Sequence, residues 1–93
     1  MQIPIKQVAT IGKCARLVRK QQAMDQFAIA SMSDNGTTFL SDFENGKPTV
    51  ELGRVLKVLD ALGIHITLDL PIKEDELTAT QKKQLREILD SIS

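Results

Sequence analysis

Three hydroxyl side chains stand close together near the middle of the chain. Thr37, Thr38 and Ser41 follow the turn-forming residues 33–36, and they share an outward face if residues 37–44 form a helix. A hydroxyl can donate to or accept from either kind of base, and a threonine methyl can pack on a thymine methyl. None of the three has the bidentate reach of Gln, Asn or Arg. The residues therefore suggest either modest direct readout of base pairs, helped by phosphate contacts and DNA deformability, or an ordinary exposed first turn.

Groups that carry enzyme chemistry are sparse in this chain. His65 is the single histidine and lies on the polar side of an alternating segment, so we expect it to be exposed. Cys14 is the single cysteine and lies in an apolar helical pattern, which is typical of a small buried hydrophobe. The glycines are isolated and form no phosphate-cradling loop. The sequence predicts no enzyme, no metal site and no cofactor.

The charge of the chain is unevenly distributed. Its 93 residues, one domain at most, carry a formal net charge of zero. Residues 1–24 hold five bases and no acid, whereas residues 69–93 hold six acids against four bases. A polyanion would therefore be attracted to the first part of the chain and repelled by the last part. No stretch approaches transmembrane length and no signal-peptide core precedes the domain, so we expect a cytoplasmic protein with no membrane partner.

Apolar periodicity predicts five helices. Thr10, Asp25, Thr49 and Thr78 are the expected N-caps, and Gly63 is expected to end the fourth helix. The predicted helices cover about residues 11–22, 25–32, 37–44, 50–62 and 79–92. The second and third flank the turn at 33–36, which is the spacing of a helix-turn-helix, in which one helix braces on the DNA backbone and the next enters the major groove.

Residues 64–70 alternate apolar and polar side chains and predict one β-strand. A lone strand leaves its backbone groups unpaired. Its partner is either the extended segment Ile3–Ile5 of the same chain or the same strand of a second copy. We favour the pairing between copies, in which Ile64, Ile66 and Leu68 form the dimer strand.

The run from Ile11 to Leu70 resembles the phage-repressor-like (Xre-type) helix-turn-helix family. It is most similar to the HipB-type antitoxins, which repress their own operon and partner a HipA-type kinase toxin. The matching positions are Gln26, Ala30, Leu40, Ser41, Phe43, Glu44, Asn45, the segment 46–50 and the run 55–63 with the strand after it.

The resemblance implies a mainly α fold. It is a compact four- to five-helix repressor-like fold. The helix-turn-helix domain covers residues 1–70, with the dimerisation strand at 64–70, and the composition and apolar spacing of residues 71–93 predict an acidic linker and a C-terminal amphipathic helix. That terminal helix either folds back on its own domain or docks into a partner's groove.

The resemblance also implies roles for individual residues. Gln26 corresponds to a family glutamine that touches phosphate, Lys47 approaches the DNA backbone, and Arg19 and Glu44 form a structural ion pair. Arg16 and Lys20 are further phosphate candidates on the basic face of the first helix. The positions where the family reads bases are Gly36, Thr37, Thr38 and Ser41.

The chain departs from the family pattern at two places, in the turn at residues 33–36 and at the residue before Gln26. Asp34 and Asn35 replace a small residue and a core-facing aliphatic, so Asn35 must find hydrogen bonds or turn outward. Asp25 replaces a threonine and is an acceptable cap, but its carboxylate is unfavourable beside phosphate.

These observations predict a homodimeric repressor that binds an inverted-repeat operator in double-stranded DNA, and the resemblance implies a HipA-like kinase toxin as its protein partner. Two alternatives remain open: a protein-interaction module whose helix-turn-helix no longer binds DNA, and a stand-alone phage-type repressor.

Overall fold

The computed structural model describes residues 1–92 and contains five α-helices in that range. Ser93, the last residue of the predicted segment 71–93, lies outside the described residues. A short 3-10 turn at Glu74–Glu76 precedes the last helix. The helices are α1 (Val8–Gln21), α2 (Gln26–Met32), α3 (Thr37–Glu44), α4 (Leu52–Leu62) and α5 (Ala79–Asp90).

Four helices enclose one core. The packed pairs are α1 with α3 and α4, and α2 with α3 and α4. The apolar stripe of each helix faces inward because apolar residues three and four apart lie on one side of a helix. Phe43 at the end of α3 is fully buried and is among the largest core side chains. The buried core consists of Ala15, Ile29, Ala30, Leu40, Phe43, Val55, Val58, Leu59 and Leu62.

Three of the predicted helix boundaries are confirmed. The Asp25 carboxylate accepts from the amide of Ala28 at 2.8 Å and caps α2. Gly63 ends α4 with a φ of 77°, the left-handed conformation that glycine adopts without a steric penalty. Thr78 and Gln81 form a reciprocal capping box at the start of α5.

Two predicted caps are wrong. Helix α1 begins at Val8, so Thr10 lies inside its first turn, and Gln7 occupies the cap position without a side-chain hydrogen bond. Helix α4 begins at Leu52 after Glu51, not after Thr49. A cap-forming side chain is only a local preference, and packing of the helix against its neighbours moves the boundary.

The predicted strand at residues 64–70 is also wrong for the single chain. These residues form no strand in the part of the protein that is described, and Ile3–Ile5 does not pair with them. Ile66, Leu68 and Leu70 are exposed, Leu68 by 82%, whereas Ile64 is half-buried against the core. A strand needs a neighbour to accept and donate its backbone hydrogen bonds, and the chain supplies none here.

Helix α5 stands apart from the four-helix unit. None of its residues is buried, and its apolar residues Ile88 and Leu89 are more than half exposed. The terminal helix therefore does not fold back on its own domain. No helix within residues 1–92 is long and apolar enough to cross a membrane.

Candidate nucleic-acid interface

The corner between α2 and α3 sets the direction of the third helix. Asp34 has a φ of 56°, a left-handed conformation that aspartate adopts more readily than most residues with a side chain. The amide of Asn35 donates to the carbonyl oxygen of Ala30 at 2.8 Å and closes the end of α2. With α2 packed on both α3 and α4, this turn holds α3 at a fixed angle to the rest of the domain.

The first turn of α3 faces outward. Gly36 is its N-cap, and Thr37 and Thr38 are exposed. Ser41, one turn later, is half-buried, and its hydroxyl oxygen accepts from the side-chain amide of Asn45 at 3.4 Å. Space around Gly36 is open, since no atom lies within 4 Å of where a side chain would begin. The four positions where the family reads bases thus lie at or near one accessible helix end.

Asn35 finds hydrogen bonds and does not turn outward. Its side-chain nitrogen donates to the carbonyl oxygen of Ser33 at 3.1 Å and to the Ser33 hydroxyl at 3.2 Å. It also reaches the carbonyl oxygen of Arg54, at 3.4 Å. Its side-chain oxygen is buried and has no hydrogen-bond partner among residues 1–92. The departure from the family's aliphatic residue is therefore accommodated by polar contacts, with one acceptor left unsatisfied.

Phe39 is not part of the outward polar face of α3 and packs instead against Phe43 and Arg54. Its ring stacks on that of Phe43, with centroids 6.3 Å apart and planes 18° apart. The guanidinium of Arg54 lies 5.8 Å from the centroid of the same ring. The Arg54 contact joins α3 to α4, and the position of Phe39 leaves Thr37, Thr38 and Ser41 as the outward polar residues of α3's first turns.

A buried network ties three parts of the domain together. Arg19 of α1 donates twice to the Glu44 carboxylate at the end of α3, at 2.7 and 2.8 Å. A third donor of Arg19 reaches the carbonyl oxygen of Met24, at 2.8 Å, in the loop before α2. Gln26, the first residue of α2, donates to Glu44 Oε1 at 3.2 Å. The side chains of the ion pair are only 8% and 2% exposed, so the network is largely shielded from water.

The network changes the acidity of its two charged members. Burial raises the pKa of Glu44, but hydrogen bonds from Arg19 and Gln26 and the positive charges of Arg19 and Arg16 outweigh burial, so the pKa lies below its usual range. The hydrogen bond to Glu44 raises the pKa of Arg19, burial opposes it, and the charges of Glu44 and Asp25 add to the rise. Both residues are therefore held in their charged forms.

Lys47 is tethered to Asp42 through both its backbone and its side chain. Gly46, with a φ of 87°, ends α3, and the amide of Lys47 donates to the carbonyl oxygen of Asp42 at 3.0 Å. The ammonium group lies 3.6 Å from the Asp42 carboxylate, with both side chains about half exposed. Sequence reasoning found Lys47 but missed Asp42. The glycine that ends α3 was the available signal, because this helix ending folds the next residues back onto the last turn.

The basic surface of α1 lies beside this network. Arg16 and Lys20 are exposed and one turn apart, and the Arg16 charge acts on Glu44. Within residues 1–92, no group of His, Cys, Asp and Glu is arranged to hold a metal ion. His65 is exposed and Cys14 is half-buried. The polar groups gathered around α3 offer hydrogen-bonding groups and positive charge.

Comparisons with known proteins agree with this geometry. No protein-family model matches the chain. The chain is 43% identical over 67 residues to an uncharacterized HTH-type transcriptional regulator, y4mF, of Sinorhizobium fredii, and the match covers 72% of this chain and 88% of the relative.

Solved structures share the fold. A HipB–O1–O2 complex matches with a TM-score of 0.68 and 25% identity, over 74% of this chain and all of the other. A HipA–HipB–O2–O3 complex matches with a TM-score of 0.69 and 24% identity, over 76% of this chain and all of the other. A structure described as MDT protein matches with the same score, identity and coverage.

Proposed function

The chain belongs to the helix-turn-helix-type transcriptional regulators, and from this premise we propose that it is a sequence-specific repressor that binds duplex DNA as a homodimer. The observation that carries the proposal is the exposed first turn of α3, held at a fixed angle by the corner at Asp34. The likeness to HipB in its O1–O2 complex supports it.

In this proposal, the residues that contact the base edges are Gly36, Thr37, Thr38 and Ser41. The missing side chain of Gly36 lets the backbone approach the groove closely, and the two threonines offer hydroxyls and methyls to base edges. Single hydroxyl contacts discriminate less than bidentate pairs do. We therefore propose that DNA shape supplies part of the sequence preference.

In the same proposal, residues around α3 contact the DNA phosphates. Gln26 offers an uncharged amide, whereas Lys47, Arg16 and Lys20 offer exposed positive charge. Such contacts set register and affinity but carry no sequence information. Lys47 must leave Asp42 to reach a phosphate, which lowers its contribution relative to an unpaired lysine.

A second copy supplies the partner that residues 64–70 lack. Ile66, Leu68 and Leu70 are about half or more exposed in the single chain, and their alternation suits a two-stranded ribbon with the same segment, including Ile64, of another copy. Leu52 and Leu56 leave a further exposed apolar edge on α4. A twofold dimer presents α3 twice, which fits half-sites about one helical turn apart in an inverted repeat.

We further propose that the protein is the antitoxin of a toxin–antitoxin pair and contacts a HipA-like kinase. The likeness to HipB, including its complex with HipA, supports this assignment. The unpacked helix α5 leaves an apolar surface for such a partner. Because repression requires access to chromosomal DNA, we place the protein in the cytoplasm.

One observation favours a second candidate, a protein-interaction module that no longer binds DNA. Two carboxylates, Asp25 and Asp42, lie beside the proposed phosphate contacts, and the chain has no net charge. Carboxylates repel a phosphate backbone. Affinity for duplex DNA at several salt concentrations separates the two candidates.

The experiment compares the full chain with Lys47→Ala and with Lys82→Ala, which removes the same charge from α5. A repressor loses affinity steeply with salt, by about 0.9 log unit per log unit of salt for each phosphate neutralised. Lys47→Ala removes two such contacts per dimer and should lower the slope by about 1.8, whereas Lys82→Ala should not change it. A flat salt response of the full chain would favour the interaction module.

A further inference from the structure

The Glu44 carboxylate binds both the arginine that neutralises it and the glutamine proposed to touch DNA. Its Oε1 atom accepts from Arg19 Nη2 at 2.8 Å and from Gln26 Nε2 at 3.2 Å. Gln26 and Glu44 are 18 residues apart, at the first position of α2 and the last of α3. The contact therefore links the side chain at the start of the bracing helix to a fixed point in the core.

The chemistry of a side-chain amide explains why this contact matters for binding. Its nitrogen carries two hydrogens, and its oxygen only accepts. Glu44, which only accepts when ionised, takes one of these hydrogens and so determines which end of the amide is the nitrogen. Without this acceptor, the amide is free to turn and present its oxygen, which a phosphate repels.

Arg19 makes the arrangement compatible with a polyanion. An unpaired carboxylate near DNA would repel it, but Glu44 is neutralised by two hydrogen bonds from Arg19 and is 4% exposed as a whole residue. The ion pair thus offers a hydrogen-bond acceptor without a net negative charge. The acceptor is also rigid, so Gln26 loses less conformational freedom on binding than a side chain held only by solvent.

We propose that Glu44 is a positioning residue for DNA binding: it orients the Gln26 amide so that the second N–H of Nε2 addresses a phosphate oxygen. This inference rests on the proposed function. It assigns the Arg19–Glu44 pair a role at the interface in addition to its role in holding α1 to α3.

The test removes the acceptor without leaving a buried charge. Arg19→Met combined with Glu44→Met replaces the whole ion pair by apolar side chains, a change that is often neutral for folding, whereas removing one partner alone is strongly destabilising. Affinity for a duplex that wild type binds is measured for four proteins: wild type, Gln26→Ala, the double variant, and the double variant with Gln26→Ala added. Thermal unfolding of each protein is recorded in parallel.

The proposal expects Gln26→Ala and the double variant each to weaken binding by about tenfold per half-site, since each subunit of the dimer loses one hydrogen bond to a charged group. Adding Gln26→Ala to the double variant should then have little further effect, because the two changes remove the same contact. The salt slope should stay unchanged, since Gln26 carries no charge and releases no counterion. A purely structural role would instead leave the effect of Gln26→Ala undiminished in the double variant, whatever the change in thermal stability.

Wild-type affinity in a folded double variant would overturn the positioning role, and so would full additivity with Gln26→Ala. Nuclear magnetic resonance of the free wild-type protein provides a test that needs no variant. The chemical shifts of the Gln26 side-chain amide protons should differ from those of solvent-exposed glutamines. Chemical shifts equal to those of exposed glutamines would also overturn the positioning role. If wild type binds no duplex at all at low salt, the proposed function fails first, and the positioning role fails with it.

Discussion

The α-carbon of Gly12 in α1 lies directly against the carbonyl oxygen of Phe43 in α3. A methyl group built on Gly12 would overlap that oxygen, and the Phe43 carbonyl carbon would lie 3.0 Å away. Because the obstacle is backbone and not the end of a flexible side chain, the two helices approach this closely only when residue 12 has no side chain. Gly12 therefore sets the distance between α1, which carries the basic surface, and α3, the proposed recognition helix.

Gly12→Ala should lower the free energy of unfolding by about 2–3 kcal/mol, as expected for overpacking of a core contact. Chemical denaturation measures the change. Gly53→Ala is the matched control, since its nearest neighbour would be the Glu51 carboxylate at 3.6 Å, and alanine in a helix should stabilise by about 1 kcal/mol. Equal effects of the two substitutions would contradict the close approach of α1 and α3.

Ala23→Gly should stabilise the protein. Ala23 has a φ of 57°, a conformation that costs a residue with a side chain about 1–2 kcal/mol. The loop is held there by the amide of Met24, which donates to the carbonyl oxygen of Arg19 at 3.1 Å. Glycine removes the strain but is more flexible when unfolded, so we expect a net gain of about 0.5–1 kcal/mol. Asp34→Gly should stabilise the protein less, because aspartate tolerates the left-handed conformation better than alanine does. A lower free energy of unfolding for Ala23→Gly would contradict the positive φ of Ala23.

The stability of the protein should fall in acid partly through Glu44. Its pKa is lower in the folded protein than the ordinary value of about 4.3. The stabilisation is therefore present above the unfolded pKa, and it is lost as the pH falls below about 4 and through the folded pKa. Unfolding measured between pH 7 and pH 2 should show this loss in wild type. The Arg19→Met, Glu44→Met double variant should show a smaller loss, and identical pH profiles would exclude a contribution from Glu44.

Asp42→Asn should strengthen binding to all duplexes alike. The change releases the Lys47 ammonium from a carboxylate 3.6 Å away and removes a negative charge beside α3. Exposed pairs of this kind are worth about 0.2–1 kcal/mol, which corresponds to roughly a one-and-a-half- to fivefold gain per half-site. Asp75→Asn, in the 3-10 turn before α5, is the control with the same charge change. Weaker binding by Asp42→Asn would instead show that Asp42 itself contacts the DNA.

The local chemistry of the sequence was enough to predict the centre of the fold. The Ser-Asp-Asn-Gly turn, the Asp25 cap and the apolar spacing around Leu40 and Phe43 each depend on a few neighbouring residues. These preferences agree with the packing of α2 and α3, so the corner is where sequence and structure coincide. Thr10 and Thr49 show the limit, because a capping preference of about 1 kcal/mol yields to the packing of a whole helix.

Contacts between distant residues could not be read from spacing. The Arg19–Glu44 pair was expected only from the family resemblance, and its partners are 25 residues apart. The bond from Gln26 to Glu44 depends on where the ends of α2 and α3 meet, which periodicity does not give. The alternation of residues 64–70 predicted a strand, but a strand also requires a partner for its backbone, and the described residues 1–92 contain none.

The most direct test of the central claim is selection of bound duplexes from a random pool by the full-length protein. The account predicts enrichment of an inverted repeat whose half-sites are centred about 10 base pairs apart. It also predicts that Thr37→Ala or Thr38→Ala changes the base preference at one step of each half-site by about 1 kcal/mol, the low end of the range for a bidentate pair. A pool that stays unenriched at low salt, or a repeat that both threonine variants select unchanged, would contradict the assignment of α3 as the helix that reads DNA.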